Sequence, residues 1–192
     1  MNDLIEDFEN AFRKLSNNKF LENSRPGGDM PYFILPYSIE HENTIDKQVE
    51  NLQKRLQNEG LKILTINLYD ASIDILKGKN GLEKMFQLET KRNKTYFLKA
   101  LQSALQIQQV FMPYIHQKME ESQPNIIFIT GVAAVFPYIR SHYVLNNLQN
   151  ITGSTPMLMF YPGEYSGRNL KLFNLLQDDN YYRALNIKQF NI

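Results

Sequence analysis

The chain has 192 residues, 21 Lys and Arg against 20 Asp and Glu, and no cysteine. That length suits a single domain spanning 1–192 with a core able to fold unaided, and a net charge of +1 supplies no field that would draw it to nucleic acid or a membrane surface. Without cysteine there are no disulfides, zinc-thiolate sites or thiol nucleophiles, which fits a reducing, cytoplasmic setting.

Leu4, Ile5, Phe8, Ala11, Phe12 and Leu15 recur at helical spacing, and Asp3, Glu6, Asp7 and Glu9 lie where the macrodipole favours acids. This predicts an amphipathic helix within 1–17, with no apolar run that would direct secretion. Residues 17–30, with Ser24, Pro26, Gly27 and Gly28, read as a flexible loop that leaves the helix free to dock on its own domain or elsewhere. Tyr32 to Leu35 predicts a buried strand ending at Pro36. A helix follows from Ile39 to Glu59, with Ile45, Val49, Leu52 and Leu56 on one stripe and Gly60 as its stop. The strand Leu61 to Leu68 closes a strand, helix, strand unit, which implies that its two strands pair in parallel through a right-handed crossover.

Residues 70–122 carry helical periodicity with breaks near Gly78 and Gly81, and the longest piece, Lys94 to Glu121, contains Pro113 as a kink or divider. Ile126 to Thr130 and Met157 to Tyr161 predict two more strands around an intervening helix. Pro137 suits a first helical turn, so that helix is expected to begin near Phe136, after a loop from Gly131. Leu170, Leu172, Phe173, Leu175 and Leu176 suggest a helix, and the end of "QDDNYYRALNI" suggests an edge strand. The fold class is α/β: a mainly parallel sheet of about four to five strands flanked by helices, Rossmann-like or degenerate P-loop-like.

Templates for chemistry fail one by one. No strand is followed by a Walker A motif or a dinucleotide fingerprint, because "PYSIEHEN" and "TGVAAVFP" lack the glycines and the lysine that phosphates require. His41, His116 and His142 lack paired metal-ligand spacing. "GEYSG" places its serine one position late for a nucleophile elbow, and Ser141 and His142 are helical neighbours that point about 100° apart. No catalytic, cofactor-binding or metal-binding residue is assigned. The basic segment Lys84 to Lys99, with Lys91 and Arg92, reads as a solvated helix face, so direct nucleic-acid binding is not expected.

The carboxyl edge of the sheet instead suggests recognition. Arg140 would lean back over the apolar loop, with His142, Asn146 and Asn147 further along the helix. "FYPGEYSG" would place Tyr161, Glu164 and Tyr165 on a loop at the same edge, and Asp178, Asp179, Asn180 and Tyr181 cluster beyond. Tyrosines beside charges are common at protein interfaces. The alternative is a nucleotide-binding or nucleotide-processing enzyme using Arg140, Glu164, Asp178 and Asp179 at that edge.

"PYFILPYS", "LETKRNKTYFLKALQSAL", "FITGVAAVFPYIRSHYVLNNLQ", "TPMLMFYPGEYSG" and "DDNYYRA" together resemble BrxB, the B component of bacteriophage exclusion (BREX) systems, over nearly the whole chain from Leu4 to Ile187. Ala133 and Tyr143 stand where glycine and a smaller residue are more usual in that family. The resemblance implies a cytoplasmic component of a phage-defence system that methylates host DNA. The family that the chain resembles has no established enzymatic activity and offers no catalytic residue to carry over, and no cofactor is assigned. The resemblance also implies binding to other BREX proteins, with the alkaline-phosphatase-like PglZ the first candidate and the BREX ATPase and methyltransferase next.

Overall fold

The structure, a computed structural model, describes residues 2–18, 20, 32–78, 81–178 and 184–190. Its elements in order are α1 (Asn2–Leu15), β1 (Tyr32–Tyr37), a 3₁₀ turn (Ile39–His41), α2 (Glu42–Asn58), β2 (Ile63–Asn67), α3 (Leu68–Gly78), α4 (Gly81–Lys91) and α5 (Lys94–Ala104). A π-helical turn (Ile107–Phe111) then leads to α6 (Met112–Ser122), β3 (Ile126–Thr130), α7 (Val132–Val135), α8 (Ser141–Thr152), β4 (Met157–Tyr165), β5 (Leu170–Leu172), β6 (Leu176–Asp178) and β7 (Leu185–Asn186). No helix among the described residues is long and apolar enough to cross a membrane.

The main sheet runs β2-β3-β4-β1-β7 with every pairing parallel, as the α/β reading expects. Every residue of β1 and β3 is buried, the pattern of parallel strands covered on both faces. Alternation then sorts side chains between two cores. Ile34, Ile127, Ile129, Met157 and Met159 face α3, α6, α7 and α8. Phe33, Leu35, Phe128, Leu158 and Phe160 face α1 and α2, meeting Leu4, Phe8, Val49 and Leu52.

The expected direct pairing of β1 with β2 is not found: β4 and β3 lie between them. The composition of β2 explains its displacement to the edge. "ILTIN" carries Thr65 and Asn67, and only Ile66 is fully buried, whereas the uniformly apolar β3 and β4 take the centre. The crossover through α2 covers three strand spacings, about 14 Å, along the α1/α2 face. The chain then returns through β3 to β4 along the other face, and reversing both direction and face preserves a single crossover hand.

Helix α1 docks on its own sheet. Phe8 stacks on Phe160 with centroids 5.6 Å apart, Glu9 pairs with Arg55, and Lys14 Nζ donates to the Ile187 carbonyl at 2.6 Å. The segment expected to be a flexible loop, 17–30, falls mostly on residues 21–31, which lie outside the described residues.

β1 runs past its expected end at Pro36 to Tyr37, and two further elements differ from expectation. The long helical stretch divides at Leu105 and Gln106, before Pro113, which sits in the first turn of α6 where its missing N–H costs nothing. Leu170 to Leu176 forms a hairpin and not a helix. Leu170 and Leu172 are buried at strand spacing while Lys171 between them pairs with Glu164. Gly163 permits that pairing, because a Cβ there would lie 2.1 Å from the Lys171 carbonyl oxygen. Phe173 and Asn174 then turn the chain with φ of 56° and 58°. The expected edge strand at the tail is β7, paired with β1.

Candidate functional site

At the carboxyl end of β2 a side chain takes up backbone donors of the following helix. Asn67, the last residue of β2, accepts at Oδ1 from the Tyr69 N–H (2.9 Å) and the Asp70 N–H (3.3 Å), and so caps α3. Gly131, next after β3, has φ +73°, and a Cβ there would lie 2.4 Å from Asn67 Oδ1. The donors that a nucleotide-binding fold turns toward an anion are therefore occupied at α3. At the carboxyl end of β1, the Tyr37 hydroxyl donates to Glu42 at 2.7 Å. Burial first, then that bond and the charges of Glu42 and Asp46, push the Tyr37 phenol far above its usual range.

The segment after Gly131 is built differently from expectation. Val132–Val135 is already helical. Phe136 is extended with ψ 135°, as the residue before a proline tends to be, because the proline ring clashes with an α conformation there. The Phe136–Pro137 peptide is cis. The Tyr138 and Ile139 N–H groups fold back on the Val135 carbonyl at 2.9 and 3.0 Å. Arg140 is the extended N-cap of α8, which starts at Ser141 and not near Phe136.

This double turn buries Val132, Val135 and Ile139 and turns Phe136 and Arg140 outward. Opposite stands the β5–β6 hairpin, whose Leu175 is 79% and Leu176 44% exposed. Between them lies a groove of about 270 Å³, walled by Phe136, Ile139, Leu172, Leu175 and Leu176. Arg140, over the Phe136 ring at 5.9 Å, is the one formal charge among the described residues lining it.

The candidate residues do not gather in one place. Arg140 lines this groove with Tyr161 beneath it, but Tyr161 is 1% exposed. Glu164 and Tyr165 lie on β4, not on a loop, at a second cavity of about 440 Å³ with Asp3, Asp7 and Lys188. Tyr165 is buried, its hydroxyl donating to the Ala184 carbonyl at 2.6 Å. His142 is buried against Tyr143 with ring centroids 4.0 Å apart. Asn146 is exposed. Asn147 donates to the Tyr143 carbonyl of its own helix at 2.7 Å. The backbone of Asp178 pairs with Leu170, while its side chain and Asp179, Asn180 and Tyr181 lie outside the described residues. Arg140 and Glu164, two members of the alternative enzyme set, line different cavities. No group of three or more His, Asp or Glu among the described residues could hold a metal ion.

Residues 64–187 match the family model "BREX protein BrxB". A "BREX protein BrxB" from Bacillus cereus (strain H3081.97) is 35% identical over 192 residues, covering 97% of this chain and 98% of its own. The chain belongs to the BrxB family. A second BrxB, from Escherichia coli O9:H4 (strain HS), is 29% identical over 174 residues, covering 91% of this chain and 86% of its own. No solved structure matches the chain.

The span matched to BrxB contains the whole groove and both of its walls. It also holds the basic segment, which in this BrxB chain forms α4 and α5, two helices without a buried residue. There Arg92 lies over the Tyr96 ring at 5.2 Å, and Phe86 is 58% exposed. The groove leucines are visible in the sequence, where their spacing suggests a helix. The alternation of Leu170 and Leu172 about Lys171 is the signal for a strand there.

Proposed function

We propose that the chain is a non-catalytic adaptor of a BREX phage-defence system, acting in the cytoplasm and holding another BREX protein in the groove between Phe136–Arg140 and the β5–β6 hairpin. The supporting observation is the exposure of Leu175 and Leu176 on that hairpin, facing an aromatic wall with one cation at its rim. Leucines held out on a hydrogen-bonded turn, next to a concave apolar surface, have the make-up of an interface centre. PglZ is the first candidate partner, as the resemblance implies, and the ATPase and methyltransferase follow.

Co-expression of the tagged chain with each BREX protein tests the reading. The wild type is expected to retain PglZ at moderate salt, and the variant carrying Leu175→Glu and Leu176→Glu is expected to lose at least tenfold of it with an unchanged melting temperature. Retention of no BREX protein by the wild type, or equal retention by the variant, rejects the proposal.

A further inference from the structure

A separate crevice opens at the carboxyl edge on the α1/α2 face of the sheet, where the chain leaves β1 toward one face and β3 toward the other. In doubly wound sheets this divergence is the position at which ligands bind. The cavity is about 120 Å³, lined by Tyr37, Glu42, Asp46, Tyr69, Thr130 and Phe160 among others. Glu42 and Asp46, four residues apart on the first turns of α2, supply two carboxylates, and no Lys or Arg among the described residues lines the space. Tyr37 and Phe160 are buried within it, and Tyr69, 46% exposed, stands at its mouth.

Thr130 is a second, independent sign. It closes β3 at 6% exposure, lines the cavity, and its hydroxyl has no hydrogen-bond partner among the described residues. A buried hydroxyl without a partner costs free energy that a ligand can recover. Glu42 accepts the Tyr37 hydroxyl at Oε2, which leaves Oε1 to accept from something else.

We propose that this crevice binds an alkylammonium or guanidinium group. Its N–H donors meet the Glu42 and Asp46 carboxylates and the Thr130 oxygen, while the rings of Tyr69, Tyr37 and Phe160 face its positive charge. The same chemistry excludes a nucleotide phosphate, which would face two carboxylates and an α3 terminus already capped by Asn67. The cation is either a free small amine or a Lys or Arg side chain of a bound protein.

Amide-shift titrations of the ¹⁵N-labelled chain at constant ionic strength test this, with ethylammonium and ethylguanidinium as probes and phosphate and ethanol as comparators. At least one cation is expected to give saturable shifts at Thr130, Gly131 and the Asn67 side-chain amide, and neither comparator should. Glu42→Gln with Asp46→Asn should weaken the response at least tenfold. Asp46→Asn alone, at an exposed position, should weaken it severalfold in a chain whose Tyr37–Glu42 bond is intact. Shifts that fail to saturate, that phosphate reproduces, or that survive both substitutions overturn the proposal. In a second arm the double variant is co-expressed with the BREX proteins. A tenfold loss of capture assigns the cation to a partner's side chain, and unchanged capture beside intact wild-type amine binding assigns it to a free amine. Because the first arm needs no partner, its failure is distinct from failure of the adaptor reading.

Discussion

Gly131 and Gly60 both have positive φ, +73° and +84°, yet they differ in what surrounds them. A Cβ at Gly60 meets nothing within 4 Å, whereas one at Gly131 would strike Asn67 Oδ1. Alanine at Gly60 should cost about 1 kcal/mol, the left-handed penalty alone. Alanine at Gly131 should cost about 2 kcal/mol or more, since it also disturbs the α3 cap; urea unfolding of both variants measures the difference. Tyr114 makes a pH prediction. Burial first, then its 3.1 Å bond to Asp74 and the charges of Asp74, Asp70 and Glu121, push its phenol up to about 12. The unfolded phenol ionises near 10, so the stabilisation is complete below that pH and is lost as pH rises toward the folded value. The urea midpoint should therefore fall with pH across that window, and Tyr114→Phe should flatten the fall. Residue identity made the apolar stripes legible from sequence, but not the Asn67–Gly131 contact, which joins the ends of two strands.

Among the elements, α1 was visible as an amphipathic helix but not as a docked one, because an apolar stripe states that a surface must be covered without saying by what. Phe8 on Phe160 and Glu9 on Arg55 supply the answer. Truncation of Phe8, 4% exposed, to alanine should destabilise the fold by about 3 kcal/mol or more, read from urea unfolding. Glu9→Ala should change it by well under about 1 kcal/mol, because that pair is solvent-exposed. Of the elements with long apolar runs, β3 is readable to the residue, whereas β1 runs past Pro36 to Tyr37 and α2 begins only at Glu42, after a 3₁₀ turn. The elements that differ are those in which a short segment obeys its neighbour: β5 is a strand because Gly163 to Tyr165 offer it a ladder, and α8 starts late because Tyr138 and Ile139 turn back on the Val135 carbonyl and leave Arg140 extended as the N-cap.

At the scale of the molecule, the near-neutral charge and the apolar groove together predict how a complex should respond to salt. A partner held at Leu175 and Leu176 should stay bound when salt is raised from about 0.1 to 0.5 M, because burial of apolar surface is not screened. A nucleic acid held on Lys91 and Arg92 would lose affinity steeply over the same range; retention on affinity resin across the series separates the two. The sequence by itself determined that this is an α/β chain with buried parallel strands, without a phosphate loop, and of the BREX protein type, since periodicity, glycine spacing and local blocks are written residue by residue. Only the tertiary structure decided that two strands separate β1 from β2, that the candidate surface divides between two cavities, and that carboxylates and a buried Thr130 hydroxyl share a third. Those facts join residues distant along the chain, and the packing of sheet edges and faces that brings them together has no local period for a sequence to display.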